Sequence, residues 1–353
     1  MNINYSNVKK SIRIAFPTFT SPNNIRLILE MLEPEFHVII DKTDYDYYFV
    51  DDIVYYNSIN MQEVLHAKKD AIKIMVAYEA IFPDLNIFDY AISFINELNC
   101  EDRIFHLPYI EMLNKIGYKD VLSSIDAAID TMNVVCKKNK FCNFIYGNGN
   151  GHWMREKLFW EISKYKKVDS LGSFLNNVSV RNSRNDKNWL EKSIELKSPY
   201  KFSIAAENTL FPGYTSEKLI TSMLAGTIPI YWGNPYVANE YNKKALIIIT
   251  EYESLDKAVD KIKYLDENEM AYFDMLSEPW RTDEQIQKFH ENVEKFYNSF
   301  YGIFKIKKED AYRRPEGCWP DVMYPIFFTT QNTNGNANFF NRIRDKIGRR
   351  FRV

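Results

Sequence analysis

The chain has little of what would commit it to a membrane, to nucleic acid or to an oxidising compartment. No window of its 353 residues approaches the roughly 18 uninterrupted apolar residues that a membrane span needs. Net charge is −2, so no global excess of lysine and arginine argues for a polyanion, and nucleic acid is set aside as a partner class. Only four cysteines occur, Cys100, Cys136, Cys142 and Cys318. None has paired zinc spacing, and the interval from Cys136 to Cys142 fits no common metal motif. Free thiols in a reducing cytosol are the expectation. A secretory leader is also not read: KKSIRIAFPTF at 9–19 puts two lysines before an apolar run, but Arg13 and Pro17 interrupt it, as in a strand ending at a turn. Internal repeats and low-complexity tracts are lacking.

What is present is core-forming material, 46% hydrophobic and 15% aromatic, in a chain long enough for two domains. Residues 12–16, 36–40, 47–51 and 72–78 read as strands, with 24–32 and 61–68 helical between them, an α/β alternation. Residues 113–140 read helical then polar, which places a boundary near Lys138 and divides the chain into 1–138, 139–300 and an extension, 301–353. A second α/β region opens with a strand at 141–146, then Gly147-Asn148-Gly149-Asn150-Gly151, then an amphipathic helix at 153–165. The polar stretch 182–197 reads as an exposed insertion. Further on come a strand at 245–250, a helix at 255–265 and a long helix at 283–300.

The densest chemistry lies in 200–234, YKFSIAAENTLFPGYTSEKLITSMLAGTIPIYWGN. Residues 201–206 and 227–231 read as buried strands. Between them Thr215 or Ser216 caps a helix with Leu219, Ile220, Met223 and Leu224 on one face, and Gly226 ends it. Such a unit is a parallel crossover, and ligands sit at the carboxyl ends of its strands. Glu207, Asn208, Tyr214, Glu217 and Lys218 fall there. A helix start with Lys218 beside it suits a diphosphate. The bland alternatives are solvated charge for the Glu217–Lys218 pair, loop packing for Tyr214 and an Asx-turn for Asn208.

Elsewhere the signals are weaker singly. The glycine loop 147–151 is neither a dinucleotide fingerprint nor a P-loop, since no Lys-Ser/Thr follows; a flexible turn is the alternative, but Arg155 in the next helix can fork onto diphosphate oxygens. Glu79 follows the apolar run IKIMVAY and so ends a strand, either as a structural glutamate or as a general base. Asp44-Tyr45-Asp46 and Asp51-Asp52 have the outline of acidic metal motifs and are discounted as common patterns. His106 and His152 stand near motif blocks without an obvious partner; His106 reads as a packed histidine, with a part in an acceptor site as the alternative. At the C-terminus, Phe340, Ile343, Ile347 and Phe351 recur at helical spacing among six basic residues and Asp345, which reads as a membrane-surface helix or a solvated tail.

Three of these elements together resemble the donor signature of the α-1,3/1,4-fucosyltransferases, glycosyltransferase family ten. They are Phe202…Glu207-Asn208, then Gly213-Tyr214-Thr215-Ser216-Glu217-Lys218, then Gly226…Pro229-Ile230-Tyr231-Trp232-Gly233. Ala206 stands where the family usually has Phe, and Thr215-Ser216 where it has Val-Thr. The blocks 86–94 and 102–109 resemble the family's N-terminal domain more loosely.

The resemblance implies a GT-B fold of two Rossmann-like α/β domains facing a cleft, with a C-terminal helical tail. It implies an inverting α-1,3 (or α-1,3/1,4) fucosyltransferase of Lewis-antigen type, with GDP-β-L-fucose held by Arg155, Asn208, Tyr214, Glu217 and Lys218. Glu79, seven residues before Asn86-Ile87-Phe88-Asp89-Tyr90, matches the family's general base. The acceptor it implies is a Galβ-GlcNAc glycan entering from residues 1–138, with no metal required and Mn2+ as a stimulant. The chain looks like the bacterial, cytoplasmic type, with residues 338–353 contacting an anionic inner membrane and products on lipid-borne glycans such as lipopolysaccharide. The alternatives are a GT-B transferase using another nucleotide sugar and a non-catalytic glycan-binding protein.

Overall fold

The computed structural model describes residues 9–95, 102–119, 123–127, 130–179 and 188–315. The basic segment 338–353, Cys100 and Cys318 lie outside the described residues.

The chain forms two compact units. The first comprises residues 1–93, 100–105 and 299–353; the second comprises 94–99 and 106–298. Their division differs from the boundary expected near Lys138. Ile110, Leu113 and Ile125 share a core with Leu219, Ile220 and Met223, which puts 106–138 in the second unit, and the last part of the chain joins the first. Phe300 and Phe304 are buried among Phe36, Tyr47 and Phe49, so the end of the long helix Asp283–Lys305 completes the first unit's core.

The first unit is built on a six-stranded sheet in the order β2-β1-β3-β4-β5-β6. Its strands are β1 (Lys10–Ala15), β2 (Phe36–Ile40), β3 (Tyr47–Asp51), β4 (Ile72–Val76), β5 (Tyr90–Ser93) and β6 (Ile104–His106). The pairs from β2 through β5 are parallel. β3 and β4 are buried at every position, as expected of central strands covered on both faces. Helix Pro22–Leu32 has Ser21 as its N-cap, whose side chain accepts the Asn24 N–H, with Pro22 at the first helical position. Behind the sheet, the Asp89 carboxylate accepts the backbone N–H groups of Lys73, Arg313 and Arg314 and pairs with the Arg314 guanidinium at 2.9 Å.

The second unit is a five-stranded parallel sheet in the order β11-β10-β9-β7-β8. Its strands are β7 (Lys140–Phe144), β8 (Val168–Ser170), β9 (Tyr200–Ala206), β10 (Ile228–Trp232) and β11 (Ile247–Ile248). Alternation assigns residues to faces. Phe202, Ile204, Ile228, Ile230 and Trp232 join one core with Leu158 and Ile162 of helix Trp153–Tyr165. Ala205 and Tyr231 join the other, with Leu219, Ile220 and Met223 of helix Glu217–Leu224. Burying each large aliphatic side chain there contributes about 1.5–3 kcal/mol. Gly226 follows that helix at φ +62°, the left-handed conformation that closes a helix.

Two expectations need correction. The strand expected at 245–250 is short, because residues Ile249–Glu251 turn into a 3-10 helix. The stretch expected to be an exposed insertion contains helix Trp189–Lys197, with Leu190, Ser193 and Lys197 buried; residues 182–187 lie outside the described residues. Its buried stripe recurs at helical spacing but holds only one large apolar side chain.

Candidate functional site

The strand order locates the site. From β7 the chain goes to β8 on one side and then to β9 on the other, so the connections diverge at the carboxyl ends of β7 and β9. Such a switch point leaves a crevice where ligands bind in open parallel sheets. After β7 come the 147–151 loop and helix Trp153–Tyr165; after β9 come Glu207 and Asn208.

Arg155 bridges the two strand ends. Its Nη2 donates to Asn208 Oδ1 at 2.6 Å and to the Ala206 carbonyl at 3.4 Å, and its guanidinium lies 4.2 Å from the centroid of the Tyr146 ring. The residue is 4% exposed. Its Nε is buried without a hydrogen-bond partner. A cation so buried, with an orphaned donor, is costly unless an anion completes it. Gly151 permits this placement, because a Cβ there would run into the Arg155 guanidinium. Burial pushes the Tyr146 hydroxyl up to about 12, with Arg155 opposing. That hydroxyl accepts the Ala206 N–H and donates to main-chain carbonyls of β9.

His152 adds a third strand end. Its backbone N–H donates to the Asn208 carbonyl at 2.8 Å, and its ring stacks on Trp232 at 4.5 Å. Its Nδ1 accepts the Met154 N–H, capping the helix that carries Arg155. His152, which has no obvious partner in the sequence, thus ties together the ends of β7, β9 and β10.

The helix start at 216–218 is organised by a residue that the sequence reading noticed but did not place in the site. Glu207 is fully buried. Its carboxylate accepts the Ser216 N–H at 2.8 Å and the Ser216 hydroxyl at 2.6 Å, and pairs with Lys218 at 3.2 Å. Ser216 is the N-cap, but its side chain caps no N–H of the helix; Thr215 Oγ1 instead accepts from Asn234. Ser216 thus holds the N-cap position expected from sequence, but its hydroxyl is taken by the Glu207 carboxylate and caps no helix N–H. Lys218 also lies 3.5 Å from Glu217. Beneath the helix, Lys197 donates to Thr221 Oγ1 at 2.7 Å and Ser222 Oγ at 3.0 Å, and burial brings its pKa down to about 7. Tyr214 is buried and meets Phe94 edge-on at 5.0 Å.

Five of the six expected site residues, Arg155, Asn208, Tyr214, Glu217 and Lys218, thus belong to the second unit, at or beside the carboxyl ends of its strands. Glu79 belongs to the first unit. It lies just past β4, half-buried. Its N–H and that of Tyr78 donate to Asp52 Oδ2 at 2.7 and 2.8 Å. Burial raises Asp52 to about 6 against those two bonds. At the opposite, amino end of β3, Asp44 and Asp46 are taken up by Arg13, Lys68 and Lys308. Among the described residues no group of three or more His, Cys, Asp or Glu side chains is placed to hold a metal, and no helix is long and apolar enough to cross a membrane.

Residues 135–309 match the glycosyltransferase family 10 (fucosyltransferase) C-terminal domain. A protein of Acanthamoeba polyphaga mimivirus, provisionally named a fucosyltransferase, is 38% identical over 44% of this chain and 27% of its own length. The α-(1,3)-fucosyltransferase FucT of Helicobacter pylori is 28% identical over 69% of this chain and 54% of its own. This chain therefore spans about half or less of these two relatives. The crystal structure of an α1,3-fucosyltransferase with GDP-fucose is 24% identical, covers 88% of this chain and 94% of its own, and superposes with a TM-score of 0.69. That likeness is one of fold, and the two parallel α/β units are consistent with GT-B. Taken together, these matches show that residues 135–309 of this chain are a glycosyltransferase family 10 (fucosyltransferase) C-terminal domain.

Proposed function

We propose that this protein is an inverting α-1,3-fucosyltransferase that moves L-fucose from GDP-β-L-fucose to the GlcNAc of Galβ-GlcNAc-type glycans. The observation that carries the reading is Arg155, a buried guanidinium with an orphaned Nε at the switch point of a parallel sheet. Arg155 and Lys218 hold the diphosphate, Glu217 accepts from the ribose hydroxyls, and Asn208 and Tyr214 complete the donor contacts. As the sugar–oxygen bond breaks, charge grows on the GDP leaving group, and each well-placed cationic donor stabilises that state by ~3–4 kcal/mol. Glu79 takes the proton from the acceptor hydroxyl as its oxygen attacks C1 from the face opposite GDP, which inverts the β-linkage to α. No metal is required by these roles, and Mn2+ stimulates. Products of Lewis-antigen type on lipopolysaccharide, a bacterial cytoplasmic location and inner-membrane contact through residues 338–353 belong to the same reading.

The test is a donor panel on the purified chain with N-acetyllactosamine, detecting product by mass. Fucose added from GDP-fucose, with nothing from UDP-sugars, is the expected result. Transfer from another donor would overturn the sugar assignment, and absence of transfer from every donor would favour a glycan-binding protein.

A further inference from the structure

Within the second unit a pocket of about 180 Å³ is bordered by Gln285, Lys288, Phe289 and Asn292 of helix Asp283–Lys305. These four stand at i, i+3, i+4 and i+7, so they form one stripe of the helix. His106 and Tyr109 contribute to the lining, as do the buried residues Thr215 and Tyr241. That volume is room for several waters and so admits a single small ring.

Charge decides the class of ligand. Arg281 lines the pocket, but its guanidinium is committed to Asp126 by two hydrogen bonds, at 2.7 and 2.5 Å. It therefore offers little to an anion. Glu240 accepts from Asn234 Nδ2 at 3.1 Å, and burial raises its carboxyl to about 8, which favours the protonated form at neutral pH. His106 is neutral, brought down to about 4 by burial. Its Nδ1 lies 3.0 Å from the Phe94 carbonyl and must donate there, which assigns Nε2 as an acceptor. Lys288 is exposed at the rim and disfavours a cation. Amide, hydroxyl, imidazole and carboxyl beside the Phe289 ring make a set of paired donors and acceptors with an apolar face, the complement of a polyhydroxylated ring.

The pocket is joined to the proposed donor loop. Asn234, which donates to Glu240, also donates to Thr215 Oγ1 at 3.0 Å and accepts the Gly213 N–H at 2.9 Å. Gly213 and Thr215 flank Tyr214, so one buried amide is shared by both.

We propose that this pocket is a carbohydrate subsite that takes one neutral sugar ring of the glycan acceptor, other than the ring that reacts. Asn239, Glu240 and Asn292 bond its hydroxyls, and Phe289 lies against its C–H face. The place of this ring in the reaction rests on the fucosyl-transfer reading; its binding does not.

The test is saturation-transfer NMR on the full chain with saturating GDP. Methyl β-galactoside and methyl β-N-acetylglucosaminide serve as probes of wild type, Asn292→Trp and Asn292→Ala. The expected result is transfer to at least one glycoside in wild type, its loss in Asn292→Trp, and affinity about fivefold weaker in Asn292→Ala, the effect of about one hydrogen bond. GDP affinity stays within about twofold, the mark of a folded second unit. Should Asn292→Trp lose GDP through misfolding, Asn292→Ala decides. No saturation transfer in wild type, or glycoside signals unchanged in the variants, overturns the subsite. Because neither probe needs turnover, a chain that binds glycosides through Asn292 yet transfers no fucose would overturn the fucosyltransferase reading and keep this one.

Discussion

Arg155 and Asn208, 53 positions apart in sequence, are joined by a 2.6 Å hydrogen bond from guanidinium to side-chain carbonyl. This bond holds a buried cation of the proposed donor site against the end of β9 and leaves Nε without a protein partner. Arg155→Lys keeps the charge but cannot both reach Asn208 and fork onto two phosphate oxygens. The expected outcome is a GDP affinity about tenfold weaker and kcat/KM about 100-fold lower, read by calorimetry and by initial rates. An unchanged GDP affinity would remove Arg155 from diphosphate binding.

Glu79 should separate binding from chemistry. Because it lies in the first unit and its backbone is held by Asp52, Glu79→Ala is expected to abolish transfer by about 1,000-fold or more while GDP affinity changes less than about twofold. Loss of both together would argue that the residue supports structure instead of taking a proton.

Lys197 carries a pH signature. Its pKa falls from 10.5 in a free chain to about 7 in the fold, so between those values the unfolded chain binds more protons than the folded one. Stability therefore rises with pH across that window and gains nothing from this group below it. Relative to Lys197→Met, wild type should gain stability as pH rises from about 7 to about 9, measured by urea unfolding, with a flat difference below about pH 6. A difference constant over the whole range would mean that Lys197 stays charged.

Asp89 tests the clasp of the first unit. Its carboxylate is fully buried and pairs with Arg314, which is nearly so. Asp89→Ala strands that guanidinium and three main-chain N–H groups, a change expected to cost about 3–5 kcal/mol. Denaturant melts would read it, with Arg314→Met milder because it removes the charge along with the partner.

Much of the second unit was legible from sequence because its signals are local. Helix Trp153–Tyr165, the crossover helix and its Gly226 terminus follow from periodicity and capping chemistry. What escaped was tertiary. Glu207 reaches from the end of β9 to the Ser216 N–H, the Ser216 hydroxyl and Lys218, a role that no spacing encodes. Helix Trp189–Lys197 hides Ser193 and Lys197 on its buried stripe, so hydrophobic periodicity reports only a polar segment. The bonding of Arg155 to Asn208 needed the sheet order, which joins segments that alternation alone leaves unpaired.

The first unit's core is closed from both ends of the described chain: Tyr301 donates to the Met31 carbonyl, Lys10 to the Phe304 carbonyl, and Arg314 pairs with Asp89. During synthesis, which runs from the N-terminus, the sheet made first must wait for residues made late. Residues 106–298, by contrast, are all available once Asn298 has left the ribosome. The unit translated first is thus the one completed last, and a nascent chain halted before Ser299 would carry a finished second unit beside an open, aromatic-lined first one.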